Sequence, residues 1–129
     1  MSITSTQLRQ ALENHPGIRQ ALVFGSVASG RARPDSDLDI AVEADHPLDA
    51  AEKVKLIEAL ALASGRPVDV IDLKTASAPL LGQILARGQR ILGTNADHAE
   101  LMRRQLFDTA DFQPYIDRML RERRRKWID

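Results

Sequence analysis

The decisive stretch is Val23-Phe-Gly-Ser-Val-Ala-Ser-Gly-Arg-Ala-Arg-Pro-Asp-Ser-Asp-Leu-Asp-Ile-Ala-Val42. An apolar run stops at Gly25-Ser26, ten residues rich in Gly, Ser, Ala, Arg and Pro follow, and alternation begins at Asp37-Leu38-Asp39. Side chains two apart on a strand share a face. Asp37 and Asp39 therefore point one way, while Leu38, Ile40 and Val42 point the other and form the buried set. Two neighbouring carboxylates repel unless a cation sits between them.

A third carboxylate is available in Val68-Asp69-Val70-Ile71-Asp72. Asp69 lies inside this run with Val68 and Val70 on the opposite face; Asp72 has the other parity, sits at the run's end and ranks lower. Oxygen-only ligands suit magnesium, which is commonly held by one or two carboxylates together with substrate phosphates. Gly25-Ser26 complements them. A strand ending in glycine lets a phosphate approach the backbone, and the Ser hydroxyl and following N–H groups are donors. Acidic residues beside a phosphate-binding turn suit two-metal phosphoryl or nucleotidyl transfer.

Outward from this stretch, helix and strand alternate. Leu8 and Leu12 mark a first helix, capped by Thr4 or Ser5 and ended by Pro16-Gly17. Ala21–Phe24 reads as a buried strand, 26–36 as a loop with at most one helical turn, and 38–42 as a second strand. Residues 48–63 form a helix closed by Ser64-Gly65, and 67–73 form a third strand. A short helix over 79–85 ends near Gly88, 90–93 is a brief fourth strand, and 97–127 is helical with an interruption near Pro114. The fold class is α/β (α+β): a small mixed sheet of three to four strands flanked by helices, with C-terminal helices. Residues 1–129 form one domain, with the core at about 15–93.

Composition agrees. The chain has 129 residues, 43% apolar and 28% charged, which fits one globular domain and excludes low-complexity classes. There is no cysteine, so disulfides and thiolate chemistry are excluded. No apolar run is long enough to span a bilayer, and Met1–Thr6 lack the pattern of a secretory leader, so a cytoplasmic protein is expected. The 18 basic and 18 acidic residues balance, but residues 101–129 carry 8 basic against 5 acidic. That local excess does not make nucleic acid the main partner.

The Gly-Ser, ten residues, Asp-x-Asp pattern with a later strand aspartate resembles the polymerase-β-type nucleotidyltransferase superfamily. The short length resembles its minimal nucleotidyltransferase (MNT) branch, whose members serve as antitoxins beside HEPN toxins. The resemblance covers about residues 15–93. It implies a nucleotidyltransferase-like fold and an enzyme that moves AMP from ATP to a tyrosine of the partner toxin. Gly25 and Ser26 would bind the triphosphate, Asp37 and Asp39 would hold two magnesium ions, and Asp69 would complete the site of the activating ion. Many relatives carry arginines two and four residues after the glycine, where this chain has Val27 and Ser29. Arg31 and Arg33 are the candidates for the missing positive charge. The alternatives are an antitoxin that works by binding alone, or a transferase acting on a small-molecule or RNA hydroxyl.

The remaining signals are weaker. His15, His46 and His98 share no metal spacing and read as surface residues. The basic run from Arg118 to Trp127 reads as a solvated helix end or a docking surface for an acidic partner. Tyr115 reads as a packing residue. Leu101, Leu106, Phe107, Phe112, Ile116, Met119 and Leu120 read mainly as helix packing, with part available to a partner.

Overall fold

In a computed structural model of the chain, residues 5–28, 30, 31, 33, 36–108, 118 and 121 are described. The elements run α1 (Ser5–Glu13), β1 (Ile18–Phe24), α2 (Gly25–Ala28), β2 (Leu38–Ala44), α3 (Ala50–Ser64), β3 (Val68–Asp72), α4 (Ala78–Arg87) and β4 (Gln89–Leu92). Residues 95–108 are also helical. The sheet order is β3-β2-β1-β4. β1 pairs antiparallel with both β2 and β4, whereas β2 and β3 are parallel, so the sheet is mixed. The parallel pair needs a crossover, and α3 supplies it.

Strand parity divides the core into two layers. Ala21, Val23, Leu38, Ile40, Val42 and Val70 pack with Leu8 and Leu12 of α1 and Leu56 and Leu60 of α3. On the other face, Leu22 and Ala41 pack with Leu81 and Ile84 of α4 and with Leu101. Asp39 has the parity of Ala41, and Asp69 that of Ile71. Both carboxylates therefore stand on the α4 face, beyond the edge of its apolar cover.

Several boundaries differ from the sequence reading, each for a local reason. β1 begins at Ile18 because Gln20, 0% exposed, is held inside the sheet rather than left in a loop. Its amide donates to Glu43 Oε1 and to the Asp97 carbonyl, both at 3.1 Å. α3 starts at Ala50 under a capping box, in which Asp49 accepts from Glu52 N and Glu52 accepts from Asp49 N. Leu106 and Phe107 are exposed rather than packed, with the Arg103 guanidinium 5.4 Å above the Phe107 ring. His98 is half-buried with Nδ1 covered, because its helix lies on the sheet. The readings at Phe112, Pro114, Tyr115, Ile116, Met119, Leu120 and Trp127 fall outside the described residues.

His46 joins the β2–α3 turn to the start of α3. Its Nδ1 lies 2.6 Å from Asp45 Oδ1 and its Nε2 2.7 Å from Glu52 Oε2. Only the imidazolium donates at both nitrogens. The hydrogen bonds to Asp45 and then Glu52 hold the ring's pKa above its ordinary value. A histidine raised in the folded state stabilises fully below its unfolded pKa, and that contribution fades as pH climbs through the folded one. The urea-midpoint gap between wild type and His46→Ala should therefore narrow from about pH 6 to about pH 8; a widening gap would contradict this linkage.

Candidate active site

The site grows from the end of β1. Phe24 is the cross-strand partner of Asp39, and the chain then turns at Gly25 with φ +74°. A Cβ on Gly25 would overlap Asp39 Oδ2. Glycine thus serves twice: it adopts the left-handed turn, and it lets the backbone lie against a carboxylate. The chain then enters the single-turn α2. From outside, Gln89 Nε2 donates to the Ala28 carbonyl at 3.0 Å, tying the end of α2 to β4. Val27 and Ala28 pack against the α1/α3 core.

The parallel register sets Asp39 opposite Asp69, with Leu38 opposite Val68 and Ile40 opposite Val70. Asp39 is half-buried, whereas Asp37 and Asp69 are exposed. Burial, then the charges of Asp69 and Asp37, hold the Asp39 carboxyl above the ordinary carboxylate range. That cause ties all three aspartates to one electrostatic neighbourhood. Among the described residues, no three His, Cys, Asp or Glu groups are gathered closely enough to ligate one ion as they stand. Like charges without a counterion repel, so spreading is the expected arrangement. The donor chemistry fits a hard divalent cation: oxygen ligands alone, a surplus of negative charge and one carboxylate whose ionised form is destabilised.

The other sequence candidates separate. Arg31 and Arg33 are exposed on the loop between α2 and β2. Ser26 lies in the first turn of α2; its side chain is outside the description. Asp72 is 7% exposed and faces away from the trio; its oxygens accept from Leu48 N and Lys74 N, each at 2.9 Å. Asp72→Ala should strand two backbone donors and cost about 1–3 kcal/mol in urea unfolding. Activity per folded molecule should hold, and a selective loss of activity would move Asp72 into the site.

Sequence reasoning missed Gln89 and Arg66. Arg66 Nη1 donates to the carbonyls of Arg33, at 2.5 Å, and Ser36, at 3.0 Å. Neither residue belongs to a spacing pattern, because each acts on backbone far away in sequence.

Residues 6–97 match the family described as polymerase beta, nucleotidyltransferase. The protein adenylyltransferase MntA of Shewanella oneidensis is 36% identical over 85 residues, covering 66% of this chain and 61% of that protein. This chain therefore spans about three fifths of that relative's length. A chain in the crystal structure of a toxin–antitoxin with AMP-PNP superposes with TM-score 0.76 at 29% identity, covering 91% of this chain and 98% of that one. A chain in the structure of a tri-AMPylated Shewanella oneidensis HEPN toxin in complex with MNT antitoxin gives TM-score 0.66 at 27% identity, covering 90% and 95%.

Proposed function

We propose that this chain, which belongs to the polymerase beta nucleotidyltransferase family, transfers AMP from ATP to a tyrosine hydroxyl of a HEPN-type toxin and so acts as its antitoxin. The observation that carries the reading is the register that sets Asp39 beside Asp69, with Gly25 folded against Asp39. The activity of the adenylyltransferase relative and the AMPylated toxin in the similar structure support the same chemistry. Such a protein would work in the cytoplasm, where ATP and a toxin partner meet; no helix among the described residues is long and apolar enough to cross a membrane.

In this reaction the acceptor hydroxyl gives its proton to solvent, its oxygen bonds to the α-phosphorus, the α–β phosphoanhydride bond breaks, and pyrophosphate leaves. Asp37 and Asp39 would hold two magnesium ions, with Asp69 completing the site of the activating one. When bound, the ions supply charge neutralisation at the phosphates and lower the pKa of the acceptor hydroxyl. The chain itself contributes placement. Gly25 and Ser26 receive the phosphate tail, and Arg31 and Arg33 add positive charge from the loop. β2 and β3 fix Asp39 and Asp69 side by side, so little reorganisation accompanies the transfer.

One observation favours a second reading. Val27 stands where many relatives carry an arginine, and here its apolar side chain packs against the core and carries no charge for the phosphates. An antitoxin that neutralises by occlusion would need no cation at that position. Incubation with magnesium, α-phosphate-labelled ATP and the partner toxin separates the two. Label retained on the toxin supports transfer; a stable complex without label supports occlusion and overturns the enzymatic proposal.

A further inference from the structure

Asp37 precedes β2, so no cross-strand ladder fixes it as one fixes Asp39. Its position depends on the two peptide planes that flank its Cα. The plane before it carries the Ser36 carbonyl, which accepts from Arg66 Nη1 at 3.0 Å. The plane after it carries the Leu38 N–H, which donates to the Pro67 carbonyl at 2.8 Å. Adjacent residues thus hold both planes. One hold is main chain and beyond the reach of mutation, and the other is a guanidinium.

The same Nη1 donates to the Arg33 carbonyl at 2.5 Å. Ser36 N donates to Arg33 O at 3.0 Å, and Arg33 N donates to Ser36 Oγ at 2.7 Å. Arg66 therefore holds Arg33 and Ser36, two residues that are also hydrogen-bonded to each other. Its own backbone is set by the C-cap of α3, where Gly65 adopts φ +68° and Arg66 N donates to Ser64 Oγ at 3.2 Å. The chain from α3 to β3 thus positions Asp69 directly by strand register and reaches Asp37 through Arg66.

We propose that Arg66 is a positioning residue for the metal-binding carboxylate of Asp37. The inference rests on the nucleotidyltransferase reading of the site. Arg66 touches backbone carbonyls, so its effect on the chemistry passes through the placement of the chain leading into Asp37 and not through contact with substrate. Both bonds leave Nη1, so a lysine ammonium reaching the same place could still donate to both carbonyls, whereas methionine donates to neither.

The test uses the full chain with manganese alone as probe, and Arg66→Met, which keeps the apolar stem and removes the donors. Manganese affinity is read by electron paramagnetic resonance at a temperature where both proteins are folded, and amide exchange is followed at Leu38. Outer-shell changes typically cost 10–100-fold in metal affinity, and a weakening of roughly tenfold is expected here, with faster exchange at Leu38. AMP transfer should recover as magnesium is raised, and Arg66→Lys should restore part of the affinity. Unchanged manganese affinity and unchanged Leu38 exchange in Arg66→Met would overturn the positioning role while leaving the enzymatic reading intact. A wild-type chain that binds no manganese would overturn the metal site itself, and this inference with it.

Discussion

Replacing Asp39 with asparagine should reduce AMP transfer by roughly a thousandfold or more, about 4 kcal/mol of barrier at about 1.4 kcal/mol per factor of ten. The same variant should fold at least as well as wild type. The loss of transfer follows from removing a proposed metal ligand, and the folding half from the surroundings of the carboxyl. Burial, with Asp69 and Asp37 adding to it, raises the Asp39 carboxyl pKa. An acid raised in the folded state binds its proton longer there than in the unfolded chain. Stability then falls as pH rises from the ordinary carboxylate value through the raised one, and the deficit persists at neutral pH. Asparagine carries no charge and escapes that deficit. Without metal, the variant's thermal midpoint should match or exceed that of wild type at pH 7. Added magnesium should raise the wild-type midpoint by mass action and leave the variant unmoved. Full transfer activity in Asp39→Asn would remove the carboxylate from the chemistry.

Gly25→Ala should lower both stability and activity. At φ +74° an alanine pays about 1–2 kcal/mol of left-handed strain. Its methyl also overlaps Asp39 Oδ2, so the carboxylate or the turn must move. A displacement near 1 Å in a reacting constellation can cost on the order of a hundredfold in rate. Gly30 provides the control. Its φ is +75°, yet a Cβ there meets nothing within 4 Å. Gly30→Ala should show the strain in urea unfolding without the loss of transfer. Equal losses of transfer in the two variants would mean that backbone strain, and not the closeness of Gly25 to Asp39, governs the site.

Much of this arrangement was legible in the chain because it depends on period and parity. Alternation at residues 38–42 fixes which side Asp39 faces, and Val68 and Val70 do the same for Asp69. A glycine at the end of an apolar run marks a turn, and the Gly25-Ser26 turn sits against the site. The unread parts depend on distance in sequence. Gln20 looks like a loop residue until Glu43 and the Asp97 carbonyl reach it. Arg66 looks like an ordinary basic residue after a helix, and its partners lie some thirty residues earlier. The capping box at Asp49 and Glu52 is a local pattern, and it starts α3 at Ala50 rather than at 48. The exposure of Leu106 and Phe107 follows from how one helix lies on the sheet, with Leu101 turned inward, and helical spacing does not settle which apolar face is buried.

Anomalous diffraction from crystals grown with manganese and a non-hydrolysable ATP analogue tests the shared-cation site most directly. Manganese should appear between Asp39 and its neighbours Asp37 and Asp69, with the analogue's phosphates turned toward Gly25. Manganese bound elsewhere, or the analogue seated away from the Gly25 turn, would contradict it.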